Sequence, residues 1–189
     1  MDNRPAIVLV GASGHAKVVI DIVEREGRYR ISHLLDDNAS LHGRSFFGYR
    51  VAGATERLLD SGPEDRPLVL VSIGDNAGRA RIAAWLRTNG FEFARAVHPN
   101  VCVGRGAAIG AGTVVMAGAV VNSDAMIGDN VIINTGATID HDCVIEDGVH
   151  IAPGAHLCGG VQVGAGSFIG AGAVLIPGIR VGARSVIEI

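Results

Sequence analysis

An aliphatic residue recurs at every sixth position from Val103 to Ile187, and this repeat constrains the fold more than any other feature. The fifteen positions keep one frame over this whole region without a miss. A fixed period of six predicts a parallel β-helix in which each repeat forms one side of a triangular coil. Three repeats make one coil, so the fifteen repeats predict about five coils. The repeating positions are Val103, Ile109, Val115, Val121, Ile127, Ile133, Ile139, Ile145, Ile151, Leu157, Val163, Ile169, Leu175, Val181 and Ile187.

The residues around each aliphatic position fit the narrow interior of such a coil. Hydrophobic residues make up 48% of the chain but aromatic residues only 4%, so the core must consist of aliphatic side chains. Small or β-branched residues stand two positions before the aliphatic residue, as at Ala107, Thr113, Ala119, Cys143, Ser167, Ala173 and Ser185. Glycine follows it at Gly104, Gly110, Gly128, Gly164, Gly170 and Gly182. We expect these glycines to take positive φ at the corners of the coil.

Residues 1–97 obey a different rule, because predicted strands alternate with predicted helices. The expected strands are 6–10, 31–35, 68–73 and 91–97. The first expected helix follows the first strand and carries Val18, Val19, Ile22 and Val23 on one face. The second expected helix covers residues 78–88. Such alternation is typical of a small parallel sheet with helices packed against it. The sequence therefore predicts a Rossmann-like α/β domain over residues 1–97 and an all-β domain over residues 98–189.

Ligands of parallel sheets bind beyond the carboxyl ends of the strands, which here means 11–15, 36–37 and 74–76. The segment GASGH at 11–15 departs from the GxGxxG pattern, so it is only weak evidence for a redox dinucleotide. A helix N-terminus beside glycines can nevertheless hold a nucleotide diphosphate. Asp36 and Asp37 could accept hydrogen bonds from a base or ribose, or could serve only as turn residues.

The net charge, the cysteines and the apolar runs of the chain indicate which partners and which cellular compartment to expect. The formal net charge of -3 gives no electrostatic reason to expect nucleic acid or an anionic membrane as a partner. The three cysteines form no CxxC pair, which favours free thiols in a reducing cytosol. The N-terminus lacks the pattern of a signal peptide, and no apolar run approaches the roughly 20 residues of a membrane helix. These features predict a cytoplasmic protein.

The segment NTGATIDHDCVIEDGVH at 134–150 concentrates the polar residues of the repeat region. His141 lies two positions after Ile139, so its side chain should be outside the core, either as a solvated residue or as a functional one. The flanking carboxylates of Asp140 and Asp142 can hold one tautomer and raise the basicity of the imidazole. His141, His150 and His156 fall at three different phases of the coil, which disfavours a metal site.

Several segments together resemble one family. The tandem repeats, IVLVGASGHAKVVIDIVE at 7–24, LLDD at 34–37, SIGDN at 72–76 and NTGATIDHDCVIEDGVHIAPGAHLCGGV at 134–161 resemble hexapeptide-repeat sugar acyltransferases. The resemblance is to the sialic acid O-acetyltransferase group, which includes the N-acetyltransferases of nucleotide-linked 4-amino-4,6-dideoxy sugars of the bacillosamine and perosamine pathways. It implies a left-handed β-helix, acetyl-CoA as co-substrate without a metal, and a homotrimer with acetyl-CoA between adjacent prisms. Family chains continue past the last coil, whereas this sequence stops at Ile189, so the contacts of that tail to CoA are not carried over.

The resemblance also implies roles for individual residues. His141 matches the family's general base and Asp142 the residue that orients it, although Asp140 could also do so. The matches to acetyl-CoA or active-site positions are Asn134 and His150. The matches to the nucleotide-sugar site are Gly11, Ser13, Gly14, His15, Asp36 and Asp37, to which the third strand end adds Gly74 and Asn76.

Gly159 lies one full coil after His141 and should stack on it. A side chain there would crowd the site, so the backbone of Gly159 and Gly160 could approach the acetyl group and stabilise an oxyanion; both could equally be corner glycines. The predicted function is acetyl transfer from acetyl-CoA to the 4-amino group of a nucleotide-linked sugar by direct attack. The alternatives are O-acetylation of a sugar such as sialic acid, or a non-catalytic scaffold that binds sugar nucleotides.

Overall fold

The computed structural model describes residues 2–188, with the side chain of Pro63 left aside. The chain divides after Ala94 into two compact units. This division lies slightly before the predicted boundary between residues 97 and 98. Within residues 2–188, no helix combines the length and the apolar character that crossing a membrane requires.

The N-terminal unit contains a parallel sheet with two helices. Its elements are β1 (Ala6–Val10), α1 (Gly14–Glu26), β2 (Arg30–Leu35), β3 (Ser45–Phe46), β4 (Tyr49–Arg50), β5 (Leu68–Val71) and α2 (Asn76–Thr88), with short 3₁₀ turns at Ala39–Leu41, Thr55–Asp60 and Pro63–Asp65. The sheet order is β2-β1-β5, and β3 and β4 form a separate antiparallel hairpin. Four of the five β1 residues are buried, as expected for the central strand of a parallel sheet covered on both faces.

Two details of the predicted N-terminal elements differ from the structure. The buried face of α1 includes Val19, Ile22 and Val23 as predicted, but Val18 is exposed and Ile20 is buried. α2 begins at Asn76, earlier than the predicted start at Gly78, because the Asp75 side chain accepts a hydrogen bond from the Gly78 N–H and caps the helix.

The predicted strand over residues 91–97 is wrong. Phe93 makes a single parallel bridge with Val69 in the N-terminal unit, whereas Ala96–Val97 pairs with Val114–Val115 in the next unit. The reason lies in the repeat, because Val97 stands one repeat before Val103 and is already in its frame. Residues 91–94 therefore belong to the N-terminal unit and residues 95–97 to the C-terminal unit.

The C-terminal unit is a parallel β-helix whose described part contains sixteen two-residue strands in three sheets. Sheet I contains β6 (Ala96–Val97), β9 (Val114–Val115), β12 (Ile132–Ile133), β15 (His150–Ile151), β18 (Phe168–Ile169) and β21 (Val186–Ile187). Sheet II contains β7 (Cys102–Val103), β10 (Val120–Val121), β13 (Thr138–Ile139), β16 (His156–Leu157) and β19 (Val174–Leu175). Sheet III contains β8 (Ala108–Ile109), β11 (Met126–Ile127), β14 (Val144–Ile145), β17 (Gln162–Val163) and β20 (Arg180–Val181).

Stacking of the coils produces one continuous aliphatic core. Each strand pairs with its counterpart in the next coil, as Ile139 does with Leu157, so equivalent side chains lie directly above one another. Ile133, Ile139 and Ile151 have no exposed surface, and the residues two positions before the aliphatic ones, such as Cys143, are buried with them. The prediction of a small parallel sheet followed by a parallel β-helix of about five coils is confirmed.

The glycines that directly follow the aliphatic residues do not take positive φ, contrary to the prediction. Positive φ occurs three residues after the aliphatic position, as at Gly106. A Cβ on Gly104 would lie 2.6 Å from the backbone N of Ser123 in the next coil. Glycine is therefore needed at Gly104 because the coils approach closely there.

Candidate active site

His141 lies at the corner of the β-helix that follows β13. Its side chain is 62% exposed, and its Nδ1 lies 2.7 Å from Oδ2 of Asp142. Asp142 has φ 58, in the left-handed region that the corner requires, and this conformation accompanies the contact of its carboxylate with the ring. Because an ionised carboxylate only accepts hydrogen bonds, Nδ1 carries the proton in the neutral imidazole and Nε2 keeps its lone pair.

The two flanking acids contact different parts of His141. Asp140 Oδ1 accepts the His141 backbone N–H at 2.8 Å and the Asn122 side-chain N–H at 3.0 Å, whereas Asp142 contacts the ring. The hydrogen bond to Asp142 and then the charge of Asp140 raise the pKa of His141. Of the two acids, Asp142 is the one whose carboxylate contacts the imidazole.

Gly159 and Gly160 have separate roles beside His141. A Cβ on Gly159 would lie 2.6 Å from both Cε1 and Nε2 of the imidazole, so the ring lies directly against this residue. Gly160 has φ 69 and donates its N–H to the His141 carbonyl at 2.9 Å. Gly160 is thus the corner glycine, and Gly159 leaves room for the imidazole.

Asn134 and His150 form a second polar pair in the β-helix. Asn134 Nδ2 lies 3.2 Å from His150 Nε2, and the His150 ring meets Phe168 edge-on with centroids 5.1 Å apart. Asn134 follows β12 of sheet I, whereas His141 follows β13 of sheet II, so the two groups occupy consecutive corners of the same coil. The structure therefore unites Asn134 with His150, but it does not bring this pair to His141 within one chain.

In the N-terminal unit, the three predicted ligand loops pack together at the carboxyl ends of the strands. Gly11 has φ 112, and a Cβ there would lie 2.8 Å from the Ile73 side chain. A Cβ on Gly74 would lie 3.5 Å from Cβ of His15, and Asp36 Oδ2 accepts the Ala12 N–H at 2.7 Å. The loops after β1, β2 and β5 thus form one surface.

The predicted substrate residues on this surface differ in what they contact. Ser13 is the N-cap residue of α1 but makes no capping hydrogen bond through its side chain, and the position where Gly14 would carry a Cβ is open. Asp36 binds the backbone N–H groups of Ala12 and Asn38, which makes it a turn residue. Asp37 is exposed. Several causes lower its pKa, and the largest is the hydrogen bond that it accepts from the Thr55 backbone N–H.

Neither Arg79 nor Asn122 was predicted from the sequence. Arg79 is 1% exposed, and it donates to the Gly74 carbonyl at 3.1 Å and to Asn76 Oδ1 at 2.7 Å. Its burial lowers the pKa of the guanidinium to about 10. Asn76 thus serves with Arg79 to fix the loop after β5. The spacing of one full coil between Asn122 and Asp140 is the signal that could have revealed Asn122.

The cysteines and His156 lie outside this arrangement. Cys102, Cys143 and Cys158 are free, and the Cys143 thiol, whose pKa is raised by burial, lies 3.2 Å from the Cys158 carbonyl. His156 is on sheet II, where its Nδ1 meets Thr138 Oγ1 at 2.8 Å. Across residues 2–188, no cluster of three histidine, cysteine or acidic side chains is suited to holding a metal ion.

Two family models match the chain. Residues 6–86 match the PglD N-terminal domain, and residues 106–141 and 142–177 match the bacterial transferase hexapeptide (six repeats). The UDP-N-acetylbacillosamine N-acetyltransferase of Bacillus subtilis (strain 168) is 37% identical over 115 residues, which make up 59% of this chain and 51% of that protein. The match thus spans about half the length of this curated relative.

Solved structures match over nearly the whole chain. A histidine-to-asparagine variant of perosamine N-acetyltransferase from Caulobacter crescentus, in complex with CoA and GDP-perosamine, is 36% identical with a TM-score of 0.89, covering 96% of this chain and 84% of that one. The acetyltransferase domain of PglB from Neisseria gonorrhoeae FA1090, in complex with acetyl coenzyme A, is 36% identical with a TM-score of 0.88, covering 97% of this chain and 88% of that one.

Proposed function

Because the chain belongs to the hexapeptide-repeat sugar acetyltransferases with a PglD-type N-terminal domain, we propose that it acetylates a nucleotide-linked amino sugar. Its β-helix is of the left-handed kind found in these acetyltransferases. The acetyl donor is acetyl-CoA, and the acceptor is the 4-amino group of a 4-amino-4,6-dideoxy sugar. Support comes from the solved relatives, which hold CoA with GDP-perosamine in one case and acetyl coenzyme A in the other.

The observation that carries the proposal is the His141–Asp142 pair with Nε2 beside Gly159. The sugar amine attacks the thioester carbonyl, and the new C–N bond gives a tetrahedral oxyanion. Nε2 of His141 takes the proton that the nitrogen loses, which is the role of a general base. The C–S bond then breaks, and the CoA sulfur takes the proton from Nε2 of His141, so that CoA leaves as the thiol and the imidazole is neutral again. No acyl-enzyme is formed.

The oxyanion requires a hydrogen-bond donor near the reacting carbonyl. The Gly160 N–H is already committed to the His141 carbonyl, so the Gly159 N–H is the candidate donor at this corner. A backbone donor of this kind is fixed before the reaction begins, and preorganised donors contribute strongly to transition-state stabilisation.

The nucleotide diphosphate is assigned to the loop at the N-terminus of α1. Gly11, Ser13, Gly14 and His15 lie there, and the first backbone N–H groups of a helix attract phosphate. We assign Asn134 and His150 to acetyl-CoA. Since they occupy a different corner from His141, a second copy of the chain is needed to complete the site, and the proposed assembly is a homotrimer with acetyl-CoA between adjacent prisms.

The test is acetyl transfer measured by release of free CoA thiol. The protein is incubated with acetyl-CoA and a panel of GDP-, UDP- and dTDP-linked 4-amino sugars, and His141→Asn is compared with the unaltered chain. Loss of the general base should lower kcat by roughly 10²–10⁴-fold while the circular dichroism spectrum is unchanged. Near-normal turnover by His141→Asn would remove the residue from the mechanism.

The same assay distinguishes the alternatives. Release of thiol with sialic acid but with no amino sugar would indicate O-acetylation, since the same imidazole can deprotonate a hydroxyl group. Binding of sugar nucleotides without any release would indicate a scaffold. Sedimentation tests the assembly, and a stable monomer with full activity would contradict the shared site.

A further inference from the structure

Asn122 reaches the candidate site from the preceding coil. It follows β10 and stands one full coil before Asp140. Its exposed side chain donates from Nδ2 to Oδ1 of Asp140 at 3.0 Å. The same carboxylate oxygen accepts the backbone N–H of His141 at 2.8 Å. One oxygen of Asp140 therefore joins a side chain of the preceding coil to the residue that carries the imidazole.

The backbones on both sides of this contact are fixed by the β-helix. The Asn122 N–H donates to the Ile139 carbonyl at 2.8 Å, and the Asp140 N–H donates to the Leu157 carbonyl at 2.9 Å. Between these fixed points, an unheld carboxylate at a partly exposed corner would be free to rotate, and ordering it costs side-chain entropy. The amide of Asn122 gives Oδ1 a second donor and so favours one position of the carboxylate, against the backbone of His141.

An amide suits this position because it donates a hydrogen bond without adding a charge. The charge of Asp140 is the second largest cause, after the Asp142 hydrogen bond, that raises the pKa of His141. A cationic side chain in place of the amide would offset that charge, and an acidic one would repel it. The preceding coil adds Asp124 at this corner, whereas the next coil places Cys158 and two glycines there. The charges that act on the imidazole are those of Asp140 and Asp142.

We propose that Asn122 is a positioning residue for acetyl transfer and acts on the imidazole of His141 through Asp140. The amide holds the carboxylate, and the carboxylate holds the backbone N–H of the residue whose ring is the proposed base. In this role Asn122 exchanges no proton. The inference rests on the proposed function, which makes His141 the general base. Asn122 should therefore affect turnover and the basicity of His141, but not the affinity for either substrate.

The experiment is a double-mutant cycle of Asn122→Ala and Asp140→Ala, measured with acetyl-CoA and the best amino-sugar acceptor by release of free thiol. Because a misplaced base takes the proton more slowly, Asn122→Ala should lower kcat about tenfold and leave both KM values close to those of the unaltered chain. Asp140→Ala should cost at least as much. The double variant should be no slower than Asp140→Ala alone, since Asn122 then has no carboxylate to hold.

The basicity of His141 supplies a readout that a purely structural role would not move. A carboxylate released by Asn122→Ala lies farther from the ring on average, so the imidazolium loses stabilisation and the pKa of His141 falls. The neutral base then persists to lower pH, and the acidic limb of kcat/KM moves toward acid. NMR titration of the His141 ring, identified by its absence in His141→Asn, measures the same shift without turnover. Asp140→Ala should shift both measurements further in the same direction.

Ser123→Ala is the matched control, because Ser123 is the exposed neighbour of Asn122 and the change leaves both donors to Asp140 in place. It should keep the kinetics and the titration of the unaltered chain. Three outcomes would overturn the inference: additive losses in the double variant, a raised KM with unchanged kcat in Asn122→Ala, and an unmoved His141 titration in that variant. Absence of acetyl transfer to every amino sugar would count against the proposed function, and the NMR titration would still decide whether Asn122 acts on His141.

Discussion

At the scale of single residues, the site depends on a side chain in a demanding backbone conformation. Ten of the fourteen positive-φ corners in the described β-helix carry glycine, whereas Asp142 occupies its corner at φ 58. Aspartate tolerates the left-handed region better than most residues. The aspartate supplies a carboxylate that glycine lacks, and this carboxylate hydrogen-bonds to the His141 ring. The corner thus combines a turn with a carboxylate that holds the imidazole of the proposed base.

We expect Asp142→Asn to shift the pH dependence of kcat/KM toward acid. The hydrogen bond that the His141 ring donates to Asp142 is the largest cause that raises the pKa of His141, so weakening it lowers that pKa. The neutral imidazole, which is the active form of a base, is then populated at lower pH, and the acidic limb of the profile moves down. The measurement is kcat/KM across pH, with free thiol as the readout.

The matched control is Asp124→Asn. Asp124 occupies the equivalent corner one coil earlier with φ 57, but it is not among the groups that shift the pKa of His141. Its profile should coincide with that of the unaltered chain. An unmoved acidic limb in Asp142→Asn, or equal shifts in both variants, would contradict the assignment of Asp142 to the ring.

At the scale of elements, the stacking of one corner on the next decides which residues fit beside the imidazole of His141. The imidazole of His141 lies against Gly159, and the carbonyl of His141 accepts a hydrogen bond from Gly160. In the opposite direction, the side chain of Asn122 holds Asp140 from the preceding coil. Three successive coils therefore contribute to one site.

We expect Gly159→Ala to lower kcat about tenfold or more while the protein remains folded. The added Cβ would lie 2.6 Å from Nε2, so the imidazole must move from the position in which we propose that it takes the proton. Misplacement of a catalytic group by about 1 Å can cost on the order of 100-fold in rate. Activity is measured by thiol release and folding by thermal melting.

Gly182→Ala serves as the control for this variant. Gly182 has room for a Cβ, whose nearest neighbour would be Ser185 Oγ at 3.7 Å, and its φ is not positive. This control should keep both activity and melting temperature. Retention of full activity by Gly159→Ala would mean that the imidazole functions in another position.

The sequence predicted the residues whose positions follow from the six-residue repeat and missed those whose positions do not. The spacing of six identified Ile139 as core and placed Gly159 on His141. It could not choose between Asp140 and Asp142, because both flank the histidine and only the folded corner shows which carboxylate contacts the ring. Arg79 was missed because a buried arginine held by carbonyl oxygens leaves no pattern in the chain.

At the scale of the whole molecule, the β-helix is a stack in which each coil contacts only its neighbours. Such stacks derive their stability from the sum of interfaces between adjacent repeats. Ile139 lies in the middle of this stack with no exposed surface, whereas Ile187 in the last strand is only partly buried. The same substitution should therefore have different effects at the two positions.

We expect Ile139→Ala to lower the free energy of unfolding by about 2–5 kcal/mol, because it leaves a cavity between two packed coils. Ile187→Ala removes fewer contacts and should cost clearly less. Denaturation by guanidinium, followed by circular dichroism at one protein concentration, measures both. Equal losses would show that the end of the stack is as tightly coupled as its centre.

The uniform length of the coil also limits how the length of this region can vary. One extra residue would shift the frame of everything that follows it, because inward and outward positions would exchange and polar side chains would enter the core. An insertion or deletion of a whole coil would preserve every later contact and would change only the distance between the site and the ends of the prism. Duplication of whole coils is therefore the route by which such a chain can grow, and point substitution is the route by which its site can change.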